Sequence, residues 1–176
     1  MKLDIVKLLL GGDKRSIGNV ERVICEINKN PAYLEALFQS LLLDDEIVRM
    51  RAIDAIEKIS RQNKKCLAPY KKLILNKIIF YDQKEMKWHV AQVAPRLSLT
   101  VKEKRKLYDL FVDQYLVDKS SIVKTNTMQA LVDLSFNDET LKRDTINILK
   151  KLIKTGTPAM KARGKKLLLQ CEENPL

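Results

Sequence analysis

A period of about 37 residues runs through most of the chain and constrains its fold more than any other feature. Four segments lie over one another: Val48-Arg-Met-Arg-Ala52, Met86-Lys-Trp-His-Val90, Val123-Lys-Thr-Asn-Thr127 and Met160-Lys-Ala-Arg-Gly164. Their first residues are 38, 37 and 37 positions apart. Three residues ahead of each stand Asp45, Gln83, Ser120 and Thr157. All but Gln83 carry a short side-chain oxygen that can accept from a free first-turn N–H. Pro158, after Thr157, suits the first helical position. Four residues into the segments stand Ala52, Val90, Thr127 and Gly164, small or β-branched groups that let a neighbouring helix come close. Apolar residues recur at three- and four-residue spacing, as Ile47, Val48, Ala52, Ala55, Ile56 and Ile59 do.

A second amphipathic stretch precedes each segment. Pro31 to Leu43 carries Leu34, Leu37, Phe38 and Leu41, and Leu67 to Tyr81 carries Tyr70, Leu73, Ile74 and Ile78. Thr100 to Val117 carries Leu107, Leu110, Phe111 and Leu116, and Asp138 to Thr155 carries Leu141, Ile146, Leu149, Leu152 and Ile153. No stretch alternates with period two long enough for a strand. The pattern predicts an all-α chain of helix pairs. One pair cannot bury its own apolar face, so successive pairs must stack, which is the physics of a solenoid. The predicted repeats are 31–63, 67–98, 100–136 and 138–172, within a single domain over 1–176. An N-terminal cap over 1–30 precedes them: a short helix ending at Gly11-Gly12, then one helix from Ser16 to Asn30 with Val20, Val23, Ile24 and Ile27 on one face. Terminal units of such arrays are atypical because one face meets water. Cys171 to Leu176 is predicted to fray.

The run Asp44-Asp-Glu-Ile-Val-Arg-Met-Arg-Ala-Ile-Asp-Ala-Ile-Glu57 resembles the second helix of HEAT repeats. Gly11 to Gly18, Val48 to Ser60, Lys87 to Gln92 and Ser120 to Thr125 are similar to a group of small bacterial HEAT-repeat proteins without a known role. The resemblance implies a short right-handed α-α superhelix of about four helix pairs. It implies that the second helices line a concave, partner-binding face. It also implies that the basic position of each segment, Arg49, Lys87, Lys124 and Lys161, bridges to an Asp in a neighbouring turn, with Asp45 and Asp82 available. Ser120 and Thr157 replace those acids later in the chain, so Lys124 and Lys161 are possible anion contacts.

Charge qualifies what such a face could bind. The net charge is +11, with 33 basic and 22 acidic side chains. Residues 1–63 are balanced, so the whole excess lies in 64–176. A basic surface concentrates anionic partners, but charge balance speaks to encounter before it speaks to a site. The longest apolar runs are too short to cross a bilayer, and the N-terminus makes a poor signal peptide. Cys25, Cys66 and Cys171 form no CxxC pair, which suits a reducing cytoplasm.

With positions 48, 52, 55, 56 and 59 facing inward, the helical wheel turns another set outward. The predicted concave ridge is Met50, Arg51, Asp54, Trp88, His89, Gln92, Asn126, Gln129 and Arg163. Met50 and Trp88 would be apolar anchors on it, although a small rotation of its helix would make Trp88 core. His89 is the only histidine, which excludes a metal site built on several histidines. No Gly-x-Ser-x-Gly turn presents a nucleophile. Gly11-Gly12-Asp13-Lys14-Arg15-Ser16 lacks the second Gly and the Gly-Lys-Ser/Thr of a phosphate loop, and reads as a helix stop with Asp13 or Ser16 capping the next helix. No catalytic, metal or cofactor site and no small-molecule substrate is identified, and no membrane partner. The expected function is a non-enzymatic scaffold or adaptor that binds another protein. The alternative is nucleic-acid binding on a basic concave surface, of the kind found in HEAT-like alkylpurine DNA glycosylases. Such an enzyme would want an Asp beside paired tryptophans; Asp54 is the nearest acid, and Trp88 stands alone.

Overall fold

The described part of the computed structural model covers residues 3–13 and 15–173. Its helices are α1 (Ile5–Leu9), α2 (Val20–Lys29), α3 (Tyr33–Ser40), α4 (Glu46–Gln62), α5 (Lys71–Asn76), α6 (Lys84–Val93), α7 (Val101–Leu110), α8 (Ser121–Ser135), α9 (Glu139–Thr155) and α10 (Pro158–Glu173). Short 3-10 turns cover Lys64–Tyr70, Ile78–Phe80 and Ala94–Arg96, and a π-helical turn covers Phe111–Tyr115. The chain is all-α, with no strand among the described residues. It divides into two compact units, Met1–Leu97 and Ser98–Leu176.

The first unit is built round α4. Asp45 starts this helix by accepting from the Ile47 and Val48 N–H groups, each at 2.9 Å. Val48, Ala52, Ile53, Ala55 and Ile56 are buried, and α4 packs against α1, α2, α3 and α6. Ring stacking of Phe38 on Tyr70, with centroids 3.6 Å apart, closes the side next to α3.

Two expected helices come out differently. The stretch from Leu67 to Tyr81 is broken into two 3-10 turns with the short α5 between them. Pro69 lies in the first turn and has no N–H to donate, so a continuous helix is not available there. The helix expected from Ser16 starts only at Val20. Asp13 accepts from Arg15 N–H and Ser16 from Gly18 N–H, so these side chains close local turns and neither caps α2.

The second unit pairs α7 with α8 and α9 with α10. Thr100 and Glu103 form a reciprocal capping box at the start of α7. The Asp138 carboxylate accepts from Leu141 N–H at 3.1 Å, and Thr157 Oγ1 accepts from Met160 N–H at 3.4 Å. Met128, Val132, Leu149, Met160, Leu167 and Cys171 form one buried cluster among α8, α9 and α10. At Gly164 a Cβ would stand 2.8 Å from Ile153 Cγ1 and 3.1 Å from Met128 Cε, so α10 sits close on its neighbours because that side chain is missing. The fraying expected from Cys171 falls partly on 174–176, outside the described residues; α10 itself runs to Glu173. Cys25, Cys66 and Cys171 are free thiols, exposed, half-buried and buried respectively.

Candidate functional site

The turn that begins at Gly11-Gly12 is folded round one side chain. Arg51, on α4, is 1% exposed and is the largest fully buried residue. Its Nη1 donates to the carbonyls of Leu9 at 2.8 Å, Leu10 at 3.3 Å and Gly11. Its Nε donates to Ser16 O at 3.1 Å, and its Nη2 to Asp13 O at 3.3 Å. Gly18 has φ 56° and lies so close that a Cβ there would meet Arg51 Cζ at 2.8 Å. A phosphate loop turns peptide N–H groups inward towards an anion. This turn sends in carbonyls, so its occupant is a cation, and the protein supplies that cation itself.

Beside this clamp lies a cleft of about 320 Å³, lined by Arg15, Ser16, Ile17, Met50, Arg51, Asp54, Glu85, Trp88 and His89. Asp54 projects from α4, and Trp88 and His89 from α6. Trp88 is half-buried, with its ring centroid 5.6 Å from that of His89. The His89 Nε2 lies 4.0 Å from Asp54 Oδ1. Lys58 Nζ approaches Asp54 Oδ2 at 3.2 Å while holding Glu21 Oε1 at 2.6 Å. Asp54 Oδ2 is thus held by an ion pair, whereas buried His89 Nδ1 has no hydrogen bond.

Burial lowers the His89 pKa below its ordinary 6.5. Asp54, Glu57 and the side chain of Gln92 pull it back up, and Lys58 adds to the lowering. The imidazole is therefore neutral near pH 7. With its proton on Nε2, its Nδ1 is an acceptor. Asp54 Oδ2 keeps the Lys58 ammonium at 3.2 Å, so the buried atom left without a donor is the imidazole Nδ1.

Glu57, just behind the cleft, is fully engaged. Its carboxylate accepts from Arg96 Nη2 at 2.6 Å and Arg61 Nη2 at 2.7 Å. Arg96 also donates to the Glu57 carbonyl and to Ser60 Oγ, both at 2.8 Å. Burial pushes the Glu57 carboxyl upward, but the hydrogen bonds from Arg96 and Arg61 outweigh it and hold the group below 4.5.

The expected ridge is thus partly redrawn. Met50 and Arg51 do not face outward: Met50 forms the buried floor of the cleft, and Arg51 serves the carbonyl clamp. Asp54, Trp88 and His89 come together in the cleft, and Gln92 stands beside His89. In the second unit, Asn126 donates to Ile122 O at 2.9 Å on its own helix. Gln129 accepts from Arg163 at 2.6 Å and donates to Asp133 at 2.8 Å.

The basic ladder differs from expectation in its partners. Arg49 bonds to Leu43 O at 2.8 Å and Gln83 Oε1 at 3.1 Å, and its acid is Asp44 at 3.5 Å. Asp45 is occupied as the α4 cap. Lys87 pairs with Asp82 at 2.6 Å. Lys124 and Lys161 have no ion pair with a described acid.

Sequence reasoning missed Glu85 and the 15–17 turn as cleft walls, and Glu57 as a buried hub. The spacing of Glu57 to Arg61, one helical turn, was the available signal for the hub. Nothing local could have brought Ile17 to Trp88. Among the described residues, no group of three His, Cys, Asp or Glu side chains could hold a metal ion, and no helix is long and apolar enough to cross a membrane. Comparison with known protein families, curated proteins and solved structures found no match to this chain.

Proposed function

We propose that this protein is a non-enzymatic interaction module of HEAT-like, solenoidal build, and that the cleft between α4 and α6 receives a donor-bearing side chain of a protein partner. Two contacts support the build: α4 lies on α6, and α8 on α10, which is how second helices of successive pairs meet in a stacked array. The observation that carries the binding reading is the buried His89 Nδ1, which has no hydrogen bond, in the cleft that also holds the Asp54 carboxylate and the half-buried Trp88. A buried polar atom left unpaired costs about 1–3 kcal/mol. A lysine or arginine from a partner would donate to that nitrogen, add to the charge pairing of Asp54 and lie against the indole, where a desolvated cation gains about 2 kcal/mol.

Trp88 is the only tryptophan, so its emission reports on the cleft. Peptides selected from a display library against the protein should be rich in Lys or Arg and should shift that emission saturably. Asp54→Asn should weaken them by about tenfold or more, the loss of one charge-assisted hydrogen bond. Selected peptides without basic residues, or peptides indifferent to Asp54→Asn, would sink the reading.

The alternative, nucleic acid on a basic ridge, has less support at this cleft. Asp54 and Glu85 face it, and the Arg51 guanidinium is already filled by peptide carbonyls.

A further inference from the structure

We propose that the solvent face of the α9–α10 hairpin binds the phosphate backbone of duplex nucleic acid. Between Thr145 and Cys171 the sequence has seven bases and no acid: Lys150, Lys151, Lys154, Lys161, Arg163, Lys165 and Lys166. All seven are exposed. None of the six lysines is ion-paired with a described acid, and Arg163 bonds only to the neutral Gln129.

Solvation alone does not account for this arrangement. A helix face is solvated equally well by alternating Glu and Lys, and gains about 0.2–0.5 kcal/mol from each opposite pair one turn apart. Here Lys150 and Lys154, and again Lys161 and Lys165, place like charges at that spacing. The macrodipole accounts for three of the seven. Lysines in the last turns of α9 face its negative end, but Lys161, Arg163 and Lys165 stand in the first half of α10, near its positive end. The hairpin thus carries local repulsion that a line of phosphates would relieve, with release of counterions.

The surroundings of the bases select the kind of polyanion. From Asp138 to Cys171 there is no aromatic residue, so no platform on which unpaired bases could stack. The apolar side chains of the hairpin are turned into the core through Leu149, Met160, Leu167 and Cys171. Leu169 is its one large apolar group exposed among the described residues, too little to anchor in a lipid surface. What this face offers is charge for a phosphate backbone whose bases stay stacked on one another, as in a duplex, bound without regard to sequence. The site is in the second unit and does not depend on the cleft proposed above.

The test is fluorescence anisotropy of the full chain with labelled duplexes of about 20 base pairs and unrelated sequence, over a salt series. The same single strands and vesicles rich in anionic lipid form the other arms. Lys161→Gln/Lys165→Gln/Lys166→Gln should weaken duplex binding at least about tenfold and lower the salt slope by about one for each phosphate no longer neutralised. Lys64→Gln/Lys65→Gln/Lys72→Gln, which removes the same charge from exposed sites in the first unit, should leave most of the affinity. Melting curves verify that both triple variants fold. Equal losses in the two variants, tighter binding of single strands than of duplex, binding to vesicles alone, or no duplex binding at low salt would each overturn the proposal.

Discussion

Arg51 and His89 sit on neighbouring helices and put opposite demands on a buried environment. Arg51 is a permanent charge whose donors are met by five peptide carbonyls, with no carboxylate among its bonds. Replacing it by Met leaves those carbonyls without their donor, and unfolding in urea should show a loss of about 3 kcal/mol or more. Gly18→Ala acts on the same clamp from the other side. It forces φ 56° on a residue with a Cβ and drives that Cβ to 2.8 Å from Arg51 Cζ. A loss of about 2 kcal/mol is expected; a change under about 0.5 kcal/mol in either variant would show that the turn folds without the clamp. His89 is held neutral, its pKa lowered from 6.5 by burial. In the window between 6.5 and that lowered value the unfolded chain binds the proton more readily than the folded one. Its contribution to stability is therefore complete above 6.5 and is lost as pH falls through the folded pKa. Glu57, lowered from 4.5 despite its burial by Arg96 and Arg61, adds a separate loss at more acid pH. The free energy of unfolding should thus fall in two stages on acidification, and His89→Gln should flatten the first stage while sparing the second.

Helix by helix, the departures from simple periodicity have identifiable causes. Leu67 to Tyr81 has the apolar spacing of one helix, yet Pro69 removes a donor and the chain takes 3-10 turns on either side of α5. Phe111–Tyr115 adopts a π turn, closed by Leu116 N–H donating to Phe111 O at 3.0 Å, with the Phe111 and Tyr115 rings both buried. Apolar spacing alone does not reveal this extra residue in the turn. Gly164 is the converse case, where periodicity pointed to close helix approach and the packing explains it. Ala in place of Gly normally gains about 1 kcal/mol in a helix. At Gly164 the new Cβ would meet Ile153 Cγ1 at 2.8 Å, and overpacking costs about 1–3 kcal/mol. Gly164→Ala should therefore lower the melting temperature in spite of its better helix propensity, and Gly164→Val should lower it further. A rise for Gly164→Ala would mean that α10 moves away at no cost.

Across the whole molecule, the net charge of +11 works against compactness through self-repulsion. The ion pair of buried Glu57 with the mostly buried Arg96 is shielded from salt, whereas the exposed lysines are not. Raising ionic strength from about 10 mM to about 200 mM should thus raise the melting temperature, because the Debye length falls from roughly 30 Å to below 10 Å. A fall would show that exposed pairs such as Lys58 with Glu21 outweigh the repulsion. The all-α class, the helix starts at Asp45, Thr100 and Asp138, and the small residue at Gly164 were legible in one dimension, because period, capping and helix contact are local in sequence. Asp54, Trp88 and His89 could be placed on one face for the same reason. The direction of Met50 and Arg51 could not. A wheel assumes a single apolar side to each helix, and α4 is covered by α1 and α2 as well as by α3 and α6. That second covering turns a nominally outward arginine into a buried one, with its partners some 35 to 42 residues away. Repetition along the chain determined which helices form and in what order. Only the tertiary structure decided which polar groups lost their water, because desolvation depends on everything that packs round an atom and not on its neighbours in sequence.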